Sequence, residues 1–541
     1  MLKKNQLHTA EITGYTADGA GVCRIEGRAV FVKGTIVGEI WEVRILKVTT
    51  SAVYGKGERC LSPSAMRQTP PCPVFRKCGG CSLLHMQYEE ELNMKLARVN
   101  DALRRIGGLE LQISEILGAA APEHYRNKAI YNVGLSAGKP VKGFYRASTH
   151  AVTPVEDCLL QMPLADHAAE AVVRWMEREG FVPYEEQTGK GTVRHIFTRC
   201  AVHTPDAVLC IISARGFGSK TESLVETLRV QCPELTGIVL CINKTKGNVV
   251  LTGDFHTLWG KPEMEDVLCG LRFQIAPQAF YQVNPAQAER LYDKAVSYAV
   301  QSPSDTVLDL YCGAGTISLC LAKRAGHVIG AEIVQEAIGN ARSNAAQNGI
   351  GNAEFVCADA GEAAEMFSER GMRPNAVVVD PPRKGMSPTA IDAIVSMQPE
   401  RIVYVSCDPG TLARDLKLLT ERGYPPADGV TVDMFPHTPH VESVVYMKRT
   451  CTNSDEQISR IRKYEMMMDE AQALLDAKQI SEMLAELIRA LEAYYTGDEW
   501  KRDYADDEAG RLPKDLKRGV LSQDGLDHLL EAYRELADEE A

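Results

Sequence analysis

In the stretch YVSCDPGTLARDL, residues 404–416, a thiol, Cys407, stands directly after an apolar run and directly before Asp408, Pro409 and Gly410. Free cysteines behave as small hydrophobes, and one serving only to pack belongs inside such a run. Set one residue beyond it, Cys407 is displayed at a strand end, where a thiolate can act as a nucleophile. Asp380 occupies the comparable position in AVVVDPPRKG, capping a four-residue apolar strand.

A second group of thiols has ligand spacing. Cys72, Cys78 and Cys81 in CPVFRKCGGCSLLHM follow the pattern C-x5-C-x2-C, and Gly79 and Gly80 let the backbone turn tightly enough for thiolates to converge. Cys158, in the polar context VEDCLLQ, is the candidate fourth ligand, because Cys200, Cys210 and Cys241 lie in apolar strand-like runs. Zinc and an iron–sulfur cluster both accept four thiolates, and spacing does not separate them. No run of 18 apolar residues occurs, and the start MLKKNQLHTAEITGY lacks the apolar core of a signal peptide. These features predict a cytoplasmic protein with no membrane segment, whose 16 cysteines serve ligation or catalysis rather than disulfides.

The elements that must position these groups can be read from the spacing of apolar residues. VLDLY turns through Cys312, Gly313, Ala314 and Gly315 into an apolar helix, and the next strand, HVIGAEI, ends in Glu332, an acid suited to ribose hydroxyls. Ser318 stands where a dinucleotide fingerprint has its third glycine, which favours an adenosyl ligand without a pyrophosphate. AEFVCADA, AVVVDPPRKG, RIVYVSCDPG and VESVVYMKR continue the alternation of strand and helix. A doubly wound parallel sheet follows, with ligands gathered at the carboxyl ends of its strands, the rim that carries Asp380 and Cys407.

Residues 1–60 read as five short strands separated by glycine turns, a small β-barrel. Lys33, Arg44, Lys47 and Lys56 beside Phe31, Trp41 and Tyr54 suit phosphate and base contacts. Residues 61–275 mix a helix with strands, an α+β domain. In it Tyr125, Arg126, Asn127, Lys128, Arg194 and His195 stand at strand beginnings and read as solvent-facing ends or the lining of a groove. Residues 455–541 have apolar residues at helical spacing and predict a small α-helical domain. The net charge of −12 is mostly a property of this tail: residues 451–541 hold 23 acidic against 12 basic residues, whereas residues 1–160 hold 21 basic against 15 acidic. The N-terminal third can therefore meet a phosphate backbone. The acidic helices either meet a protein partner or form an autonomous solvated bundle.

VLDLYCGAGTISL, VVVDPPRKG, VYVSCDPGTLARDL and FPHTPHVESVV, in that order, together with FYQVN at 280–284 and YRNK, GFYR and VEDC further upstream, resemble the RNA uracil-C5 methyltransferases, which use S-adenosylmethionine. The resemblance covers residues 1 to about 450, and the N-terminal barrel is similar to the TRAM domain. Cys72, Cys78, Cys81 and Cys158 resemble the [4Fe–4S] ligand set of the subgroup that acts on 23S ribosomal RNA, which favours iron–sulfur over zinc.

The resemblance implies a multidomain α/β protein: a TRAM- or OB-like barrel at 1–60, a central α+β domain with the cluster at 61–275, a doubly wound S-adenosylmethionine-dependent methyltransferase domain at 276–450, and the helical tail at 455–541. It also implies that Cys407 attacks uracil C6, that Glu442 removes the C5 proton, and that Gln282, Tyr311, Glu332 and Asp380 contact the cofactor. In folds of this type the last strand runs antiparallel, so Glu442 is expected at the rim of Cys407. Alternatives are the same chemistry on transfer RNA and a non-catalytic iron–sulfur RNA-binding module. An amino-methyltransferase fits less well, because Arg383 stands where an aromatic would follow the prolines and Cys407 would be idle. The tail resembles a small uncharacterised bacterial domain.

Overall fold

The computed structural model describes residues 2–146, 149–245, 247, 249–450, 453–479, 481–510, 512–513 and 516–540. The chain divides into two compact units, Met1–Arg449 and Thr450–Ala541. Among the described residues no helix is long and apolar enough to cross a membrane.

The first unit opens with a closed barrel of strands Leu7–Tyr15, Gly21–Ile25, Arg28–Val32, Ile40–Val48 and Val53–Ser62. Alternation fills it: Ile12, Cys23, Val30, Val32, Val43, Ile45 and Val53 point inward, and Tyr54 stays 46% exposed.

A seven-stranded sheet follows, its strands in spatial order Asp254–Gly260, Gly237–Ile242, Ala207–Ser213, Val193–Cys200, Lys128–Ser136, Lys139–Tyr145 and Val152–Pro154. The helix Pro163–Glu179 packs on it through alanines, Val172, Trp175 and Met176. The solvent-facing reading of Tyr125, Asn127, Arg194 and His195 is corrected here, because all four are buried. Hydrogen bonds offset that burial. Arg194 donates to the carbonyls of Asn243 and Thr245 at 3.1 and 2.8 Å, and Asn127 donates to the Gln282 carbonyl at 3.0 Å.

The third layer is an eight-stranded sheet in the order Ala353–Cys357, His327–Glu332, Thr306–Leu310, Ala376–Val379, Arg401–Ser406, Glu442–Lys448, Pro426–Val432 and Ile116–Leu117. The first five run parallel and Glu442–Lys448 runs antiparallel to its neighbour. The doubly wound expectation holds, with one addition. The short strand Ile116–Leu117 is contributed by the segment before the central sheet and pairs with Thr431 and Val432.

The second unit comprises helices Asn453–Asp476, Glu482–Thr496, Asp498–Glu508 and Gln523–Glu540. Ile461, Leu484, Leu491, Trp500 and Leu526 form its core. Its buried Asp503 accepts both prongs of Arg460, at 2.9 and 2.6 Å, and the Tyr494 hydroxyl at 2.7 Å. The first two of these helices are separated by a break near Lys478, whose φ is 51°.

Candidate active site

The strand Arg401–Ser406 is buried at every residue, and the half-buried Cys407 follows it. Asp408 then caps the helix Pro409–Thr420, its carboxylate accepting the N–H groups of Gly410 and Thr411 at 2.9 Å each. The thiol is thus held between a fixed strand and a capped helix. In the antiparallel pairing Ser406 lies opposite Ser443, so Cys407 and Glu442 leave the same end of the sheet side by side. Glu442 is 8% exposed. Asp380 follows the fully buried strand Ala376–Val379, which pairs in parallel with the Cys407 strand.

These three groups feel one another. Burial pushes the Cys407 thiol up, Glu442 and Asp380 push it further, and the Arg383 guanidinium opposes them. Burial, then Asp380, lifts Glu442 well above the usual carboxylate range, with Arg383 again opposing. Burial alone raises Asp380 to about 7. The rim therefore holds three groups that burial keeps protonated and one exposed guanidinium, and a cation bound there would favour their ionised forms.

The glycine turn lies on the same rim. Glu332 accepts the N–H of Gly313 at 3.2 Å and of Val334 at 3.0 Å, so its carboxylate ties the turn to the end of the second strand. Gly315 has φ +81°, and a Cβ there would sit 3.0 Å from Ala341 and 3.1 Å from the Phe355 ring. Tyr311 adopts φ 71°, a left-handed conformation uncommon for an aromatic residue. Burial pushes its phenol up to about 12. Gln282 meets the fully buried Tyr292 hydroxyl, which also meets Thr316 and lies in the field of Asp380.

Sequence reasoning missed Asp309. It lies mid-strand in VLDLY, fully buried, and accepts from the Ser318 hydroxyl at 2.5 Å, while its other oxygen has no hydrogen-bond partner among the described residues. Burial raises it to about 7, with further increments from Asp380 and Glu332. An acid inside an apolar run was the available signal. Also missed was the role of Arg383, a cation acting on both Cys407 and Glu442.

Cys72, Cys78, Cys81 and Cys158 line one cavity of ≈ 300 Å³, with Phe75, Leu84, Arg126 and Lys128. The Gly80 N–H points at the Cys78 sulfur at 3.4 Å, and the Cys158 N–H donates to Asp166 at 3.0 Å. Among the described residues no group of three or more Cys, His, Asp or Glu side chains is arranged to hold a metal ion.

Known proteins resemble this chain in sequence and in fold. A family model for tRNA (uracil-5-)-methyltransferase matches residues 268–450, the TRAM domain matches residues 3–58, and Domain of unknown function (DUF4298) matches residues 458–540. An uncharacterized RNA methyltransferase of Listeria monocytogenes is 42% identical over 447 residues, covering 83% of this chain and 98% of that protein. One of Clostridium tetani is 40% identical over 446 residues, covering 82% and 97%. The crystal structure of Pyrococcus abyssi tRNA (uracil-54, C5)-methyltransferase in complex with S-adenosyl-L-homocysteine superposes with a TM-score of 0.66 at 26% identity, covering 81% of this chain and 100% of that one. The chain belongs to the tRNA (uracil-5-)-methyltransferase family of RNA methyltransferases.

Proposed function

We propose that the enzyme methylates C5 of a uracil in 23S ribosomal RNA, using S-adenosylmethionine, through a covalent adduct on Cys407. The observation that carries the reading is the adjacency of Cys407 and Glu442 across the antiparallel strand pair, with Asp380 on the same rim. Uracil C5 is a poor nucleophile. Attack of the Cys407 thiolate on C6 turns the ring into an enolate with carbanion character at C5. Bound S-adenosylmethionine supplies an electrophilic methyl group and one positive charge. Glu442 then takes the C5 proton, the C–H electron pair forms the C5–C6 double bond, and the C6–S pair returns to Cys407 as thiolate.

For the cofactor, Glu332 suits ribose hydroxyls, Tyr311 packs on the adenosyl portion, and Gln282 and Asp380 offer polar contacts to the amino-acid end or to the uracil. Arg383 favours both ionised groups, which burial otherwise keeps neutral.

The four thiols fit a metal–thiolate cluster, since they line one cavity with Arg126 and Lys128, cations that offset thiolate charge. The likeness of Cys72, Cys78, Cys81 and Cys158 to the ligand set of the ribosomal subgroup favours [4Fe–4S] ligation over zinc. The likeness of this ligand set to that of the ribosomal subgroup supports 23S RNA, and a cytoplasmic location accompanies that reading. The Pyrococcus relative, by its name, acts on transfer RNA, which makes transfer RNA the second reading.

An RNA carrying 5-fluorouridine at the target separates the steps, because fluorine cannot leave as a cation and elimination stalls. A covalent protein–RNA complex should accumulate with wild-type enzyme and vanish in Cys407→Ala. Glu442→Gln with ordinary RNA should trap the methylated adduct. Normal methylation by Cys407→Ala would end this reading.

A further inference from the structure

The segment Asp433–Pro439 leads into Glu442, and its carbonyls are claimed from four directions. Gln287 donates to Asp433 O at 3.0 Å and Asn284 to Met434 O at 3.3 Å. Lys95 reaches Phe435 O at 3.2 Å, Tyr125 reaches Pro436 O at 3.1 Å, and Arg98 reaches Pro439 O at 2.6 Å. The His437 carbonyl accepts the N–H groups of Ser82 and Leu83, at 3.1 and 3.3 Å, directly after the ligand candidate Cys81. Beneath the segment lies a buried ionic network. Lys95, fully buried, contacts Glu91 and Asp433 at 2.6 Å each. Glu91 accepts the His437 N–H at 2.6 Å and faces its ring at 3.2 Å. The Tyr88 hydroxyl donates to Asp433 at 2.7 Å. His437 itself sits at φ 67°.

A loop held this way at almost every carbonyl has one conformation, and breaking one buried charge pair there is costly. Most of the holders, Ser82, Leu83, Tyr88, Glu91, Lys95, Arg98 and Tyr125, come from the segment before the methyltransferase sheet. Cys407 is held by its own strand and the Asp408 cap, and the helix it opens packs on the helix Tyr88–Ala102 through Val99 against Leu412 and Leu416, not through the Lys95 network. Disturbing the network should therefore move Glu442 while leaving the nucleophile in place.

Resting on the uracil-C5 reading above, we infer that Glu91, Lys95, Asp433 and His437 are positioning residues for the general base, and that the thiol loop and the helix Tyr88–Ala102 set the proton-abstraction step rather than methyl transfer. In that step the C5 proton passes to Glu442, its electron pair becomes the C5–C6 π bond, and Cys407 leaves with the C6–S pair.

The test uses full-length enzyme, RNA transcribed with [5-³H]uridine and methyl-labelled S-adenosylmethionine, in single turnover. Methyl incorporation and tritium release should coincide in wild type. Lys95→Met should keep methyl incorporation within a few-fold of wild type while tritium release falls at least about tenfold, so that methylated covalent adduct accumulates. His437→Asn, whose side chain tolerates a positive φ, and Tyr125→Phe, which removes one hydrogen bond, should show the same lag in milder form and carry the test if Lys95→Met does not fold. If in the folded variants the two signals fall together, the network is merely structural and the inference is overturned. Wild type showing neither methylation nor tritium release would instead sink the uracil-C5 reading.

Discussion

A carboxyl inside an apolar strand is costly when ionised, and Asp309 carries that cost with one hydrogen bond from Ser318. Burial raises it to about 7, against about 3.9 for an unfolded aspartate. Because the folded value is the higher one, the stability this group contributes is full below about pH 4 and is lost as pH rises through about 7. Asp309→Asn keeps an acceptor for Ser318 and removes the charge. Its thermal midpoint should therefore exceed that of wild type, more at pH 8 than at pH 5, with an upper bound of about 4 kcal/mol at the higher pH. Melting curves at the two pH values check this, and an equal or smaller gain at pH 8 would refute it. The same substitution should weaken S-adenosylmethionine binding above about pH 7, where it removes a negative charge that lies in the field of Asp380 and Glu332. The residue was visible in the sequence as an acid in VLDLY, but its titration was not, because desolvation belongs to the surroundings that other segments supply.

Single elements here do local work that their own sequences explain. Asp408 stops one strand and starts one helix, and the positive φ at Gly315 lets that turn lie against Phe355 and Ala341. The loop Cys72–Cys81 is different, because it needs Cys158 from beyond the strand pair Lys128–Ser136 and Lys139–Tyr145 to complete its cavity. Anaerobically purified protein should be brown and carry about four irons per chain, measured by metal analysis and visible absorption. Colourless protein with stoichiometric zinc would overturn the cluster. The spacing of three cysteines was legible in the sequence. That Arg126 and Lys128 line the same cavity was not, since a strand reveals which side chains alternate but not what faces them.

At the scale of the whole molecule, the helical unit from Thr450 onward has its own core, and its 23 acidic against 12 basic residues make an RNA contact unfavourable. Removing residues 455–541 should leave methyl transfer and the salt slope of RNA binding unchanged, because that slope counts cations on phosphates. Loss of activity in a folded truncation would show that the units act together. The sequence by itself determined the elements and the reactive groups: the barrel strands, the alternating strands and helices, Cys407 just past a strand, Asp380 in the same position, and three thiols in a tight turn. These are signals carried by periodicity and turn chemistry within a few residues. The family resemblance had put Glu442 at the rim of Cys407, where the strand pairing has it, but only the tertiary structure decided that Arg194 and His195 are buried and that residues near 90 hold the loop near 435. Those pairings join segments from tens to hundreds of residues apart, and what selects them is the burial and hydrogen-bond satisfaction of the assembled fold, which no local pattern encodes.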